Sequence, residues 1–283
     1  MNIGDLIWIL LLLMLFWPGV RQRWIDTSRL RQIRRLEKAR GTRVITLIHR
    51  QESISFLGIP VARYIDIDDS EAILRAIRLT DPEIPIDLIL HTPGGLVLAA
   101  EQIGHILAER PGRVTVFVPH YAMSGGTFVA LAADEIAMGA GAVLGPIDPI
   151  IGEFPAVSLI KVPQMKPIGR VDDRTLIMAD MAEKAMAQVR GAAANLLKTN
   201  GMLVVKADDI ADVLTSGRWT HDYPIHAAQA VELGLPVTIG IPDEVQALMD
   251  LYPQTQQRRP SVQYIPVPYE RRTPPGRTRS GKG

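Results

Sequence analysis

The chain has 283 residues, of which 47% are apolar and 22% charged, with a formal net charge of +1. That is enough for one sizeable catalytic domain with extended ends, or for two small domains, and the near-neutral balance gives no support to a nucleic-acid-binding core. The absence of cysteine excludes disulfides, thiolate metal sites and a cysteine nucleophile.

The first element is apolar. Leu6 to Trp17 carries no charge, and Pro18 and Gly19 extend the run to Val20. It is short beside the roughly 20 residues of a spanning helix. A signal peptide fits less well, because Asp5 stands at the start and Arg21 and Arg23 at the end, with no small-residue cleavage pattern. Residues 1–20 therefore read as a membrane anchor in preference to a signal peptide or a buried core helix. Eight basic residues follow between Arg21 and Arg40. Positive flanks stay on the cytoplasmic side, so the expectation is a single-pass membrane protein with its bulk in the cytoplasm. This basic juxtamembrane segment, residues 21–41, suits anionic headgroups and a solvated helix face equally well.

Residues 42–252 read as the folded body. Val44 to Ile48 has strand character, and Ser70 to Leu79 repeats apolar residues at helical spacing. Ile84 to Leu90 is a second strand candidate that runs into Thr92-Pro93-Gly94-Gly95, where proline and glycine force a turn. Helical spacing resumes from Leu96 to Leu107. The same order recurs: a Val-rich strand from Arg113 to Pro119, a Ser124-Gly125-Gly126 turn, and a small-residue helix through Ala133. Short strands are expected at Glu135 to Met138, Ala142 to Leu144 and Pro236 to Ile239. Helices are expected at Asp173 to Leu197, Ala227 to Leu233 and Asp243 to Leu251. Strand, turn and helix in alternation argue for an α/β fold with largely parallel strands. Residues 253–283, rich in Arg and Pro, read as a disordered basic tail.

The two glycine turns carry the chemistry. A serine hydroxyl is a poor nucleophile until a base removes its proton. On a sharp turn between strand and helix it is exposed, and flanking glycines relieve the crowding. The helix that follows Ser124 points its positive end at developing negative charge. Backbone N–H groups of Gly125 and of Gly94 or Gly95 are then candidates for an oxyanion hole. Either glycine pair alone is explained by close helix–strand packing; two pairs at equivalent places in successive units favour an oxyanion site.

His-Thr-Pro-Gly-Gly (His91 to Gly95) and Ala-Met-Ser-Gly-Gly-Thr (Ala122 to Thr127) resemble elements of signal peptide peptidase A and the Clp protease subunit. They are more similar still to the membrane-bound serine dehydrogenase proteinase family. That resemblance continues through Gly-Pro-Ile-Asp-Pro (Gly145 to Pro149) and Ser216 to Ile225, covering roughly residues 40–250. It implies a ClpP/crotonase-like spiral of ββα units, preceded here by one membrane helix and commonly assembled into homo-oligomers. It also implies a serine endopeptidase that hydrolyses protein or peptide substrates through an acyl-enzyme.

The base is less plainly written. Where Clp-type proteases carry a histidine, this chain has Asp148-Pro149, and no histidine lies between His120 and His221. Signal peptide peptidase A and its relatives use a lysine before a long helix, and Lys166, with Lys161 as second choice, occupies that place. A lysine base must be neutral and therefore buried, and the surrounding sequence is apolar. Lys184, a histidine, or no base at all are the more remote alternatives. His91 and His120 are near enough in sequence to approach the site but read first as hydrogen-bonded structural histidines. Asp148 is able to orient a base or substrate but reads first as a turn former, and Asp172 and Asp173 read as helix caps. No metal-ligand spacing or phosphate loop is evident, so neither a metal nor another cofactor is expected, nor a nucleic-acid partner. The alternatives to a Ser–Lys peptidase are a crotonase-type acyl-CoA enzyme and a non-catalytic membrane scaffold with the same fold.

Overall fold

The computed structural model describes residues 3–49, 55–56, 59–60 and 63–252, with no side-chain description for residues 3–16, 18, 19, 21, 55, 56, 59 and 60. The tail expected over residues 253–283 lies outside the described residues. Helix α1 (Ile3–Arg40) runs through the apolar and basic segments without a break. Among the described residues no helix is long and apolar enough to cross a membrane.

The chain then forms β1 (Arg43–Ile48), a short antiparallel pair of β2 (Ser55–Phe56) and β3 (Ile59–Pro60), and α2 (Ile67–Arg78). Helix α2 begins three residues before the apolar spacing predicts. The reason is a capping box: Asp66 accepts from Asp69 N at 3.0 Å, and the Asp69 carboxylate accepts from Asp66 N at 3.1 Å. Two strand–turn–helix units follow. The first is β4 (Ile86–His91) with α3 (Val97–Ala108). The second is β5 (Val114–Val118) with β6 (Tyr121–Ala122) and α4 (Gly125–Ala130). Strand β7 (Glu135–Met138) comes next.

Beyond it lie β8 (Val143–Leu144), a hairpin of β9 (Ile150–Ile151) and β10 (Phe154–Pro155), and α5 (Ala156–Met165). Helices α6 (Asp173–Thr199) and α7 (Val204–Thr215) follow, then β11 (Ile225–His226), α8 (Ala227–Leu233), β12 (Val237–Ile239) and α9 (Asp243–Asp250). Helix α7 has no counterpart in the sequence expectation. Asp172 caps α6 as expected, accepting from Thr175 N at 3.0 Å.

The central sheet is parallel throughout, in the order β1-β4-β5-β7-β12. Strands buried on both faces show no polar alternation, and every residue of β4 and β5 is buried. The two faces still separate by parity. Ile86, Leu88 and Leu90 of β4 and Val114, Val116 and Val118 of β5 join the main core with Ile103, Phe128 and Leu197 from the helices. Ile89 and Phe117 face the other way, onto Leu36 of α1 and Val245, Leu248 and Met249 of α9.

The second half of α1 is thus docked on the domain. Arg29 Nε donates to the Leu251 carbonyl at 2.9 Å, and its guanidinium lies 4.0 Å from the Tyr252 ring centre. At the end of the helix, Arg40 pairs with Asp87, which is buried within β4 and also accepts from Thr42 Oγ1 at 2.7 Å. A buried carboxylate needs such partners.

A smaller sheet, β11-β8-β6, stands at the carboxyl ends of the central strands. It is linked to β4 by a parallel bridge between Thr92 and Ala122. In this sheet β11 runs antiparallel to β8, with Ile225 opposite Leu144. Asp148 and His221 lie on the segments just beyond this pair.

Candidate active site

Ser124 is the N-cap of α4, with φ 50° and ψ −117°, and is the only non-glycine residue at positive φ among those described. A backbone held in this region costs on the order of 1–3 kcal/mol and persists only where its surroundings enforce it. Here they do. Met123 N donates to the Thr92 carbonyl at 3.0 Å and Thr92 N to the Tyr121 carbonyl at 3.2 Å, which locks the approach. On the far side, Gly126 N donates to Met123 O at 2.7 Å and Phe128 N to Ser124 O at 3.0 Å. Thr127 Oγ1 donates to Ala122 O at 2.7 Å and accepts from Gly145 N at 2.9 Å. The serine is left partly exposed at the tip.

The first glycine turn lies directly against it. Gly94 has φ 107° and Gly95 φ 157°. Ile65 clamps the turn: Ile65 N donates to Gly94 O at 2.7 Å, and Leu96 N donates to Ile65 O at 2.9 Å. The approach is so close that a Cβ on Gly95 would stand 2.2 Å from the Ile65 carbonyl oxygen, and one on Gly125 would stand 3.3 Å from Gly95 N. Among the described residues no acceptor is present for the N–H of Gly95 or of Gly125. The two glycines that face each other beside Ser124 therefore offer two free donors.

Gly94 behaves differently from expectation. Its N–H donates to Thr92 Oγ1 at 3.2 Å, so it is not available in the same way, and its contribution is spatial. Thr92 Oγ1 also meets His49 Nδ1 at 2.9 Å, and His49 Nε2 lies 3.2 Å from Asp69 Oδ2. His49 is buried at the end of β1, and burial lowers its pKa against the opposing pull of Asp69. This Asp69–His49–Thr92–Gly94 chain holds the glycine turn from behind. Nothing in the sequence reading singled out His49, which lies 75 positions from Ser124 and in no motif.

A cleft of about 250 Å³ opens in front of the serine. Ser124, Gly95 and Gly125 line one side, and the apolar side chains of Val97, Phe128, Ile147, Ile150 and Val189 form most of the rest. Three further residues with polar side chains line it, Tyr64, Asp148 and His221. His221 Nδ1 is 2.9 Å from Asp148 Oδ1. Asp148 is 2% exposed, so the turn-forming aspartate expected from sequence is a buried carboxylate with an imidazole partner. Its hydrogen bond raises the pKa of His221 above the ordinary histidine value, against the opposing effect of burial. The loop that carries His221 is braced by Trp219 and Tyr223, whose rings stack at 5.0 Å and 2°.

The lysines lie elsewhere. Lys161 on α5 and Lys166 at its C-terminal cap are both exposed, and neither lines the cleft. The burial that the apolar sequence around them implies is not found, because α5 turns Ala156 and Leu159 inward against Ala182 of α6 and leaves the lysines outside. Lys184 is exposed on α6, paired with Asp180 at 2.6 Å. His91 is buried in β4, its ring 4.2 Å from that of Tyr121 and 5.5 Å from that of His120. Among the described residues no group of His, Asp and Glu is arranged to hold a metal ion.

A family profile described as ClpP-like SDH-type serine proteinase matches residues 1–277. Two uncharacterized proteins of Methanocaldococcus jannaschii are similar over nearly the whole chain. MJ1495 is 50% identical, covering 95% of this chain and 91% of its own length. MJ0137 is 51% identical, covering 94% and 93%. Among solved structures, a serine-to-alanine mutant of the 1510-N membrane-bound stomatin-specific protease aligns with TM-score 0.44 and 19% identity, over 65% of this chain and 79% of its own. A lysine-to-alanine mutant of that protease in complex with a substrate peptide aligns with TM-score 0.42 and 21% identity, over 62% and 71%.

Proposed function

The chain belongs to the ClpP-like SDH-type serine proteinases and is a serine peptidase, and on that premise we propose that it is an endopeptidase whose nucleophile is Ser124. The observation that carries this is the strained serine at the start of α4, lying beside the two free N–H groups of Gly95 and Gly125 on one wall of the cleft. Ser124 Oγ attacks the carbonyl carbon of the scissile peptide, and the carbonyl oxygen takes up the negative charge. The two glycine N–H groups, fixed before the substrate arrives, stabilise that charge without reorganisation. The C–N bond breaks, the amine leaves, and water releases the acyl group from the serine. Gly94 serves by leaving room for Ser124.

The Ser–Lys dyad that the sequence suggests would require Lys166 to reach the serine from outside the cleft, by movement of the segment after α5 or from another copy in a homo-oligomer. Residues 1–20 serve as a single-pass membrane anchor in this reading, with the catalytic domain on the cytoplasmic side. Support comes from the apolar run and the basic residues after it. The docking of Arg29 to Arg40 on the domain would then hold the cleft at a fixed distance from the membrane surface.

The test is hydrolysis of fluorescently labelled casein by the full chain in detergent. Cleavage by the wild type and its loss in Ser124→Ala, with unchanged Tm, supports the reading. Full cleavage by Ser124→Ala sinks it.

A further inference from the structure

We infer that His221 is the general base for Ser124 and that Asp148 positions it, so that the site is a Ser–His–Asp triad in which the histidine comes from the loop before β11. This deepens the serine peptidase reading and rests on it.

Three observations carry it. Asp148 and His221 line the cleft that Ser124 opens into, whereas Lys161 and Lys166 do not. Next, the pair has the geometry a base requires. Nδ1 faces the carboxylate at 2.9 Å and donates to it, which leaves the Nε2 lone pair free to take a proton. Last, the pair is costly unless used. Asp148 Oδ2 is buried without a hydrogen-bond partner among the described residues, so a buried carboxylate is retained with one imidazole as its support.

The fold explains how residues so far apart in sequence meet. The antiparallel pairing of β8 with β11 joins Leu144 to Ile225, and the segments just beyond that pair bring Asp148 and His221 into contact. The stacked rings of Trp219 and Tyr223 hold the intervening turn.

The proton balance closes without any other group. As Ser124 Oγ bonds to the scissile carbon, its proton passes to His221 Nε2. The resulting imidazolium is stabilised by Asp148, and it then gives the same proton to the departing amine as the C–N bond breaks. In the second half, His221 takes a proton from the attacking water and returns it to Ser124 Oγ as the acyl bond breaks.

The experiment compares His221→Ala, His221→Asn, Asp148→Asn, Lys166→Ala and Ser124→Ala in the full chain. It reads casein hydrolysis, the rate of labelling by a fluorophosphonate, and Tm. The asparagine side chain keeps an N–H donor for Asp148 but has no base, so it separates support of the loop from proton transfer. Both His221 variants should lose at least about 10³-fold in both rates, with His221→Asn keeping the wild-type Tm. Asp148→Asn should lose about 10²–10⁴-fold. Its residual labelling should titrate at lower pH, since the imidazole then has only Asp222 as a nearby anionic neighbour. Wild-type rates in His221→Asn would overturn the inference. So would lost activity in Lys166→Ala beside full activity in His221→Asn, and that result would leave Ser124 as the nucleophile. Full activity in Ser124→Ala would instead remove the underlying serine peptidase mechanism.

Discussion

Gly94 approaches Ser124 at a separation that leaves no room for a side chain. A Cβ on the glycine would stand 2.8 Å from the serine Cβ and 2.9 Å from the Met123 carbonyl oxygen. With φ at 107°, the position is strained for any other residue even before the contact is counted. Gly94→Ala should therefore push the serine turn out of line and lower kcat/KM by at least about 10²-fold, because misplacement of this order removes reactive geometry. A kcat/KM within threefold of wild type would show that the two turns are not mechanically joined.

The positive φ of Ser124 predicts an opposite pull on stability and activity. Glycine adopts this backbone without strain, so Ser124→Gly should raise stability by about 1–3 kcal/mol while abolishing hydrolysis. Urea unfolding of the two proteins measures the difference. A destabilised Ser124→Gly would mean that the strain is not stored at this residue.

The network behind the glycine turn gives a third expectation. Thr92→Val removes the oxygen that accepts from Gly94 N–H and meets His49 Nδ1, leaving two buried polar groups unpaired at about 1–3 kcal/mol each. Tm should fall, and kcat should fall with it while KM changes little, since the turn supports the oxyanion donors. An unaltered kcat would assign the network to stability alone.

His49 also sets a pH dependence whose sign follows from its burial. Its pKa is lowered in the folded protein, so its contribution to stability is present above the unfolded value and is lost as pH falls through the folded value. His221 is shifted the other way; its contribution is full below the unfolded value and lost as pH rises through the folded one. His49→Gln should flatten the acid side of the Tm–pH curve and leave the neutral side unchanged, as followed by thermal melts between pH 5 and 8. An acid limb unchanged by the substitution would contradict the linkage.

Two truncations separate the docked half of the N-terminal helix from the residues before it. Removing residues 1–20 spares Arg29, Leu36 and Arg40 and should leave a folded, active domain. Removing residues 1–40 uncovers the apolar cluster around Leu36 and Val245 and strips Asp87 of its Arg40 partner. Loss of one partner of a buried pair costs about 3–5 kcal/mol, so this shorter chain should melt well below the other by differential scanning calorimetry. Equal melting temperatures would mean that the docked half of α1 contributes nothing.

Much of the architecture was legible because it is local. The strands before Gly94 and Ser124 are continuous apolar runs, and each turn is marked by glycines whose need is visible in sequence. Asp172 declared its cap in the same way. What escaped was non-local. Asp148 and His221 meet through two-residue strands too short to show periodicity, so the aspartate read as a turn residue and the histidine went unassigned. The same limit hid His49, whose partners come from α2 and the first glycine turn. The exposure of Lys161 and Lys166 escaped for a related reason: an apolar stretch implies burial, but α5 buries only Ala156 and Leu159, and Lys166 stands past the end of the helix.

Ser124 as the nucleophile is tested most directly by covalent capture. The wild-type chain would be treated with a fluorophosphonate, digested, and mapped by mass spectrometry. A single adduct on the peptide containing Ser124, formed by the native but not the heat-denatured protein, is the predicted result. An adduct on another residue, or none while casein hydrolysis is blocked, would contradict it.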